Sequence, residues 1–302
     1  MNRAVVIAGP TASGKSAAAI DFALRFGGEI INADSRQVYS GMRIGTAAPD
    51  VEQLARVPHH LFGFLHPSEN YSLALYQRQA RTALDECWKR GVLPIVVGGT
   101  GQYIWGLLEA WTVPPVEANG PLRQQLRARA EAEGVVALHE TLAQVDPLAA
   151  SRIDPANVRR VIRALEVFEL TGKRISEWQE KRDPGFEFRV FGLDVPLTEL
   201  DARIDRRVDL MVADGLVEEV RSLLKAGVRR DANAMDSIGY REILVFLDGE
   251  LDLSEAVGAI KQSTRQLARG QKKWFRAGDP RITWVRDSAE LLDAAKVFIG
   301  GP

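Results

Sequence analysis

The chain has 302 residues, with 39 Lys and Arg against 40 Asp and Glu, and one cysteine. That length allows one or two domains with a substantial core, and 46% apolar with 26% charged residues excludes disorder, collagen or a coiled coil as a description of the whole. The formal net charge of −1 argues against a uniformly basic nucleic-acid binder but not against segregated charge. Lone Cys87 excludes an internal disulfide and a cysteine-based zinc cluster. The apolar run at residues 4–8 is too short for a signal peptide, and no stretch approaches a membrane span. The expectation is a cytoplasmic protein with no membrane contact.

In chain order, residues 4–8 read as a buried strand and residues 16–26 as a helix closed by Gly27-Gly28. Residues 29–34 read as a second strand ending in a carboxylate, residues 71–90 as a helix, and residues 93–97 as a third strand. Apolar strands separated by helices predict a parallel sheet covered on both faces. From residue 121 to about residue 182 the pattern is helical. There Val158, Val161, Ile162, Leu165 and Phe168 share one face, with Arg159, Arg160 and Arg163 on the flank. Strand character returns at residues 188–195, followed by long helices over 200–224 and 252–275 and a last strand at 282–285. The predicted architecture is an α/β core of residues 1–116 and 183–302, interrupted by a helical insertion of residues 117–182.

The sharpest local signal is Gly9-Pro10-Thr11-Ala12-Ser13-Gly14-Lys15-Ser16, a complete phosphate-loop pattern between a strand and a helix. Its glycines let the backbone present N–H groups to an anion, and the next helix adds its positive end. Lys15 suits the terminal phosphate oxygens, and the Ser16 hydroxyl suits Mg²⁺. The loop implies a bound di- or triphosphate. It does not say whether a phosphoryl group moves or a diphosphate leaves.

Asp34 ends the second strand, at the sheet edge where open parallel sheets bind ligands. It can organise Mg²⁺, act as a general base, or simply cap the next segment. Thr100 and Gly101 follow the third strand and reach the same edge. Residues 261–276 carry Lys261, Arg265, Arg269, Lys272, Lys273 and Arg276 with no acid, a stripe that suits a phosphate backbone. Arg203, Arg206 and Arg207 alternate with Asp201, Asp205 and Asp209, which favours pairing along their own helix over the alternative that one of the three reaches the diphosphate. His59, His60, His66 and His139 lack metal-ligand spacing. Trp274-Phe275 and Cys87 read as packing residues. On these residues alone a small-molecule or nucleotide kinase ranks first, and a nucleotide-gated RNA-binding module remains open.

Eight segments in order carry a resemblance: GPTASGKS (9–16), NADSRQVYSGMRIGTAAP (32–49), PHHL (58–61), VGGTGQYI (97–104), RVIRALEVFELTGK (160–173), RRVDLMVADGLVEEV (206–220), SIGYRE (237–242) and STRQLARGQKKWFR (263–276). Together they resemble the tRNA isopentenyltransferases, over nearly the whole chain. The resemblance implies a P-loop NTPase-like parallel-sheet core with a helical insertion that contacts tRNA. It implies a monomeric enzyme that moves a dimethylallyl group from dimethylallyl diphosphate to N6 of the adenine 3′ of the anticodon, in tRNAs reading codons that begin with U. Residues Gly9 to Ser16 would then hold the diphosphate, with Mg²⁺ on Ser16. Asp34 would be the general base, and Lys15 and Thr100 would stand at the reacting centre. The matched tRNA contacts are Asp34, Ser35, Arg36, Gln37, Thr100 and Arg123. Further contacts match Arg159, Arg160, Val161, Ile162 and Arg163, then Ser237, Ile238, Gly239, Tyr240 and Arg241. The last are Arg269, Gln271, Lys272, Lys273 and Arg276. Two positions depart from the family's pattern: Arg43 and Ala48 stand where GMDIGTAKP has Asp and Lys. Gly270 also interrupts a segment that usually reads AKRQ, and glycine weakens a helix interior by about 1 kcal/mol.

Overall fold

The computed structural model describes residues 2–178 and 180–300. The chain forms two compact units, one of residues 1–108 and 184–302, the other Glu109–Asp183.

The first unit opens with β1 (Arg3–Ala8), α1 (Lys15–Phe26) and β2 (Gly28–Asn32). Then come α2 (Val51–Arg56), β3 (His59–His60), α3 (Leu73–Lys89), β4 (Leu93–Gly98) and α4 (Gly101–Leu108). The second unit holds α5 (Gly120–Glu133), α6 (Val135–Val145), α7 (Pro147–Ala150) and α8 (Val158–Thr171). The first unit resumes with β5 (Glu187–Leu193), α9 (Leu197–Ala213), α10 (Leu216–Lys225), α11 (Tyr240–Leu247), α12 (Leu253–Lys272), β6 (Ile282–Val285) and α13 (Ser288–Ile299).

The six strands form one parallel sheet in the order β3-β2-β4-β1-β5-β6. The central strands are buried on both sides, as their unbroken Val and Ile runs require. Val5, Ile7, Ile30 and Val97 pack with Ala19, Phe22 and Ala23 of α1 and with Leu291 and Ala295 of α13. Alternate positions face the other way, so Glu29 meets α3, where the buried Cys87 thiol donates to its Oε2 at 3.6 Å. His60 Nε2 lies 2.7 Å from the same oxygen, and Arg90 grips both Glu29 oxygens at 2.6 and 2.9 Å. Burial, then Glu29, pushes the Cys87 thiol up to about 11. A second core joins α9, α10, α11 and α12 to Val38, Tyr39 and Met42.

The second unit packs Leu126, Leu138, Leu142, Val161, Ile162 and Leu165 around its own centre. Asn119, Asp146 and Asn157 cap α5, α7 and α8 through their side chains. Fully buried Glu166 accepts from Arg123, Arg163 and the Asn119 N–H. Burial pushes that carboxyl up, but the arginine and backbone hydrogen bonds outweigh it and hold it below the usual range. Entering and leaving segments are tied by Thr112 N–H to Glu180 O and Arg182 N–H to Glu109 O.

Two expected helices differ. The run at 200–224 is two helices, because Gly215 turns the chain at φ 99° between α9 and α10. The helix expected to reach 275 ends at Lys272, passing through Gly270 and stopping two residues later. Five short or terminal elements, α2, β3, α4, α11 and α13, went unpredicted.

Candidate active site

The phosphate loop joins β1 to α1 at the carboxyl edge of the sheet. Ala12 and Gly14 adopt left-handed backbone at φ 63° and 92°, the alternation that turns N–H groups toward a common point. Glycine takes that conformation freely, whereas Ala12 does so at about 1 kcal/mol. Lys15 opens α1, and its ammonium donates to Pro10 O at 3.2 Å.

Two arginines from α9 reach this loop. Arg207 donates to Thr11 Oγ1 at 2.5 Å, and Arg203 donates to Ser13 O at 3.2 Å while pairing with Glu199. Burial lowers Lys15 to about 8; Asp34 pulls it up and Arg207 adds to the lowering. Burial also lowers Arg207, again with Asp34 opposing. The fold therefore gathers two cations whose charge it disfavours, around one carboxylate. An anion of two or more charges would relieve both.

Asp34 lies two residues past β2. Asn32, buried at the strand end, fixes it: Oδ1 accepts from Asp34 N–H at 2.8 Å, and Nδ2 donates to Asp34 O and Leu61 O. Asp34 Oδ1 caps the turn by accepting from Arg36 N–H at 2.9 Å, while Oδ2 has no hydrogen-bond partner among the described residues. Capping thus leaves the second carboxylate oxygen uncommitted. The β4 end comes so close that a Cβ on Gly98 would sit 2.1 Å from Ala33 O. Thr100 follows, its hydroxyl accepting from Ser35 N–H at 3.0 Å. A pocket here is lined by Lys15, Ser16 and Asp34 together with Ile20, Ile30, Phe62 and Val97.

The structure brings Gly9 to Ser16, Asp34 to Gln37 and Thr100 together. Arg36 and Gln37 work within the protein: Arg36 donates to Asn233 O, and Gln37 Nε2 to Thr46 O and Ala47 O. Glu219, which lies in the 206–220 segment but was not singled out there, accepts from the N–H groups of Arg43, Ile44 and Gly45 and from the Tyr240 hydroxyl. The Arg43 side chain takes no part in these bonds. The loop is held there through backbone N–H groups, whatever the side chain at position 43.

Several expected contact residues are interior. Ser237 and Tyr240 are buried, Gly239 donates to Glu242 and Ile238 is half-buried, whereas Arg241 is exposed and pairs with Asp236 and Glu242. Val161 and Ile162 face the core of the second unit, and Arg123 and Arg163 serve Glu166 there. Arg159 and Arg160 are exposed. The stripe on α12 is not free of acids in space. Lys261, Arg265 and Arg269 pair with Asp209, Asp205 and Asp201 of α9, so those aspartates do not serve their own helix. Gln271 is buried against the phosphate loop and Lys272 donates to Val195 O, whereas Lys273 and Arg276 are exposed.

Fold and site define an enzyme of the phosphate-loop class, with an anion cradle beside a fixed carboxylate. The IPP transferase family matches residues 37–278, and the isopentenyl transferase family residues 2–59. A tRNA dimethylallyltransferase of Thermomicrobium roseum is 53% identical over 90% of this chain and 83% of its own. One from Roseiflexus castenholzii is 44% identical over 98% and 96%. Among solved structures, a tRNA isopentenylpyrophosphate transferase from Bacillus halodurans superposes with a TM-score of 0.72 at 38% identity, covering 99% of this chain and 96% of its own. A eukaryotic dimethylallyltransferase acting on tRNA gives 0.79 at 28%, covering 98% and 76%. The chain belongs to the IPP transferase family.

Proposed function

We propose that this chain transfers a dimethylallyl group from dimethylallyl diphosphate to the exocyclic N6 of the adenine 3′ of the anticodon, in tRNAs reading codons that begin with U. The observation that carries the reading is the phosphate loop, with Lys15 and Arg207 bound to it, opening onto a pocket that Lys15, Ser16 and Asp34 line together.

The geometry supports a role for each group. The loop N–H groups, Lys15 and Arg207 bind the diphosphate and stabilise it as it leaves. The N6 lone pair forms a bond to the allylic carbon as the carbon–oxygen bond breaks, and that bonding pair goes to the diphosphate. Adenine N6 is a weak nucleophile, so Asp34 Oδ2 takes its proton as the bond forms. The base must leave its stack to reach this carboxylate. The exposed Ser16 hydroxyl, at the first turn of α1, shares the pocket wall with Asp34. A hydroxyl at this place beside the phosphate loop suits Mg²⁺, which would neutralise diphosphate charge and leave the Asp34 carboxylate to act as base.

Arg159, Arg160, Lys273 and Arg276 are the exposed cations through which we propose tRNA contact. No helix among the described residues is long and apolar enough to cross a membrane, and we propose a cytoplasmic, monomeric enzyme. Incubation with radiolabelled dimethylallyl diphosphate and unmodified tRNA tests the reading. Label enters the tRNA; phosphate transfer from ATP with unlabelled tRNA would overturn it in favour of a kinase.

A further inference from the structure

Gln271 lies in the last turn of α12 and is 8% exposed. Its Oε1 accepts from Thr11 N–H at 2.7 Å, and its Nε2 donates to Gly99 O at 3.0 Å. The phosphate loop and the loop after β4 therefore meet on one side chain. The fit is close: a Cβ on Gly99 would lie 2.3 Å from Gln271 Nε2 and 3.1 Å from Gly9 O. Thr11 is held a second time, at its hydroxyl, by Arg207. Beyond Gly99, the Thr100 hydroxyl holds Ser35 N–H, next to Asp34. A connected path thus runs from the anion cradle through Gln271 to the carboxylate.

We propose that Gln271 is a positioning residue, which fixes the phosphate loop against the loop that seats Thr100 and Asp34. This rests on the transfer reading above and adds to it. Bond formation between donor carbon and N6 needs reacting atoms held about 3–3.5 Å apart and aligned, and an error near 1 Å costs about a hundredfold in rate. The job needs an acceptor at one end and a donor at the other, with the reach of glutamine. A primary amide supplies both. A carboxylate keeps the bond to Thr11 but sets a second oxygen against Gly99 O. Protonation restores the donor.

The test uses the full chain carrying Gln271→Glu. At about pH 8 its kcat falls about 50-fold, while the dissociation constant for tRNA stays within about twofold of wild type. Toward about pH 6 the ratio of variant to wild-type kcat rises, because the buried carboxyl takes up a proton and donates to Gly99 O. Hydrogen exchange at the Thr11 amide, measured without substrate on the isosteric Gln271→Met, is faster than in wild type. Gln271→Met loses kcat at every pH, and it carries the kcat and exchange readouts if Gln271→Glu does not fold. Weakened tRNA binding with intact kcat, a flat kcat ratio across pH, or unchanged Thr11 exchange would each overturn the proposal. A wild-type enzyme that labels no tRNA sinks the transfer reading instead, and the exchange measurement still decides the Gln271 tie.

Discussion

At Lys15 the cost and the use of a residue coincide. Its pKa of about 8 against an ordinary 10.5 means the fold binds this proton less well than the unfolded chain does. Below about pH 8 the group opposes folding in full, and the opposition fades as pH rises toward 10.5. Lys15→Met should therefore stabilise the ligand-free protein at pH 7, by on the order of 2–3 kcal/mol, while abolishing donor binding. Thermal unfolding and isothermal titration with diphosphate check the two halves. In wild type, diphosphate affinity should fall above about pH 8 as the ammonium deprotonates. Asp34→Asn keeps the Oδ1 cap on Arg36 but removes the base. Transfer should drop at least about a thousandfold, with tRNA affinity within about twofold; retained turnover in a single-turnover assay would refute the base assignment. Asp34 was legible because strand ends locate ligand edges. Arg207 was legible only as one of three candidates, because three arginines alternating with three aspartates on one helix do not reveal which face meets the loop.

Among elements, the early β1–α1–β2 and β4 units were legible from apolar runs and glycine punctuation. The partner of α12 was not. Its cations recur along one helical stripe, but the acids that neutralise three of them sit on α9, about 60 residues away in sequence. Periodicity describes one helix at a time and is silent on what crosses it. Gly98 shows the tightest element contact. Gly98→Ala places a methyl 2.1 Å from Ala33 O and should destabilise the protein by about 3 kcal/mol, read as a lower denaturation midpoint with transfer impaired. In the second unit, Glu166 has a depressed carboxyl pKa, so its stabilisation is present above about pH 4.5 and is lost as pH falls through the depressed folded value. Glu166→Gln leaves Arg123 and Arg163 without their carboxylate. The arginines are partly exposed and keep some water, so the cost at pH 7 should be about 2 kcal/mol. Proteolysis of this unit, faster at pH 7 and less sensitive to acid, is the readout.

For the whole molecule, a net charge of −1 hides cations in two conditions. Lys261, Arg265 and Arg269 are spent on α9, whereas Lys273 and Arg276 stand exposed beyond the helix end. Replacing both Lys273 and Arg276 by Ala should lower the salt slope of tRNA binding by roughly 1.5, measured by filter binding across KCl concentrations. Arg269→Ala should change it less, since Asp201 already neutralises that side chain. Cys87, interior and held as a thiol, has a practical consequence of its own. The native protein should resist maleimide, so one cysteine introduced at an exposed site such as Val136 becomes a unique attachment point. A second at Val51 adds a dye to the other unit, and the separation of the units becomes measurable with and without RNA, in a molecule whose own sulfur never has to be removed.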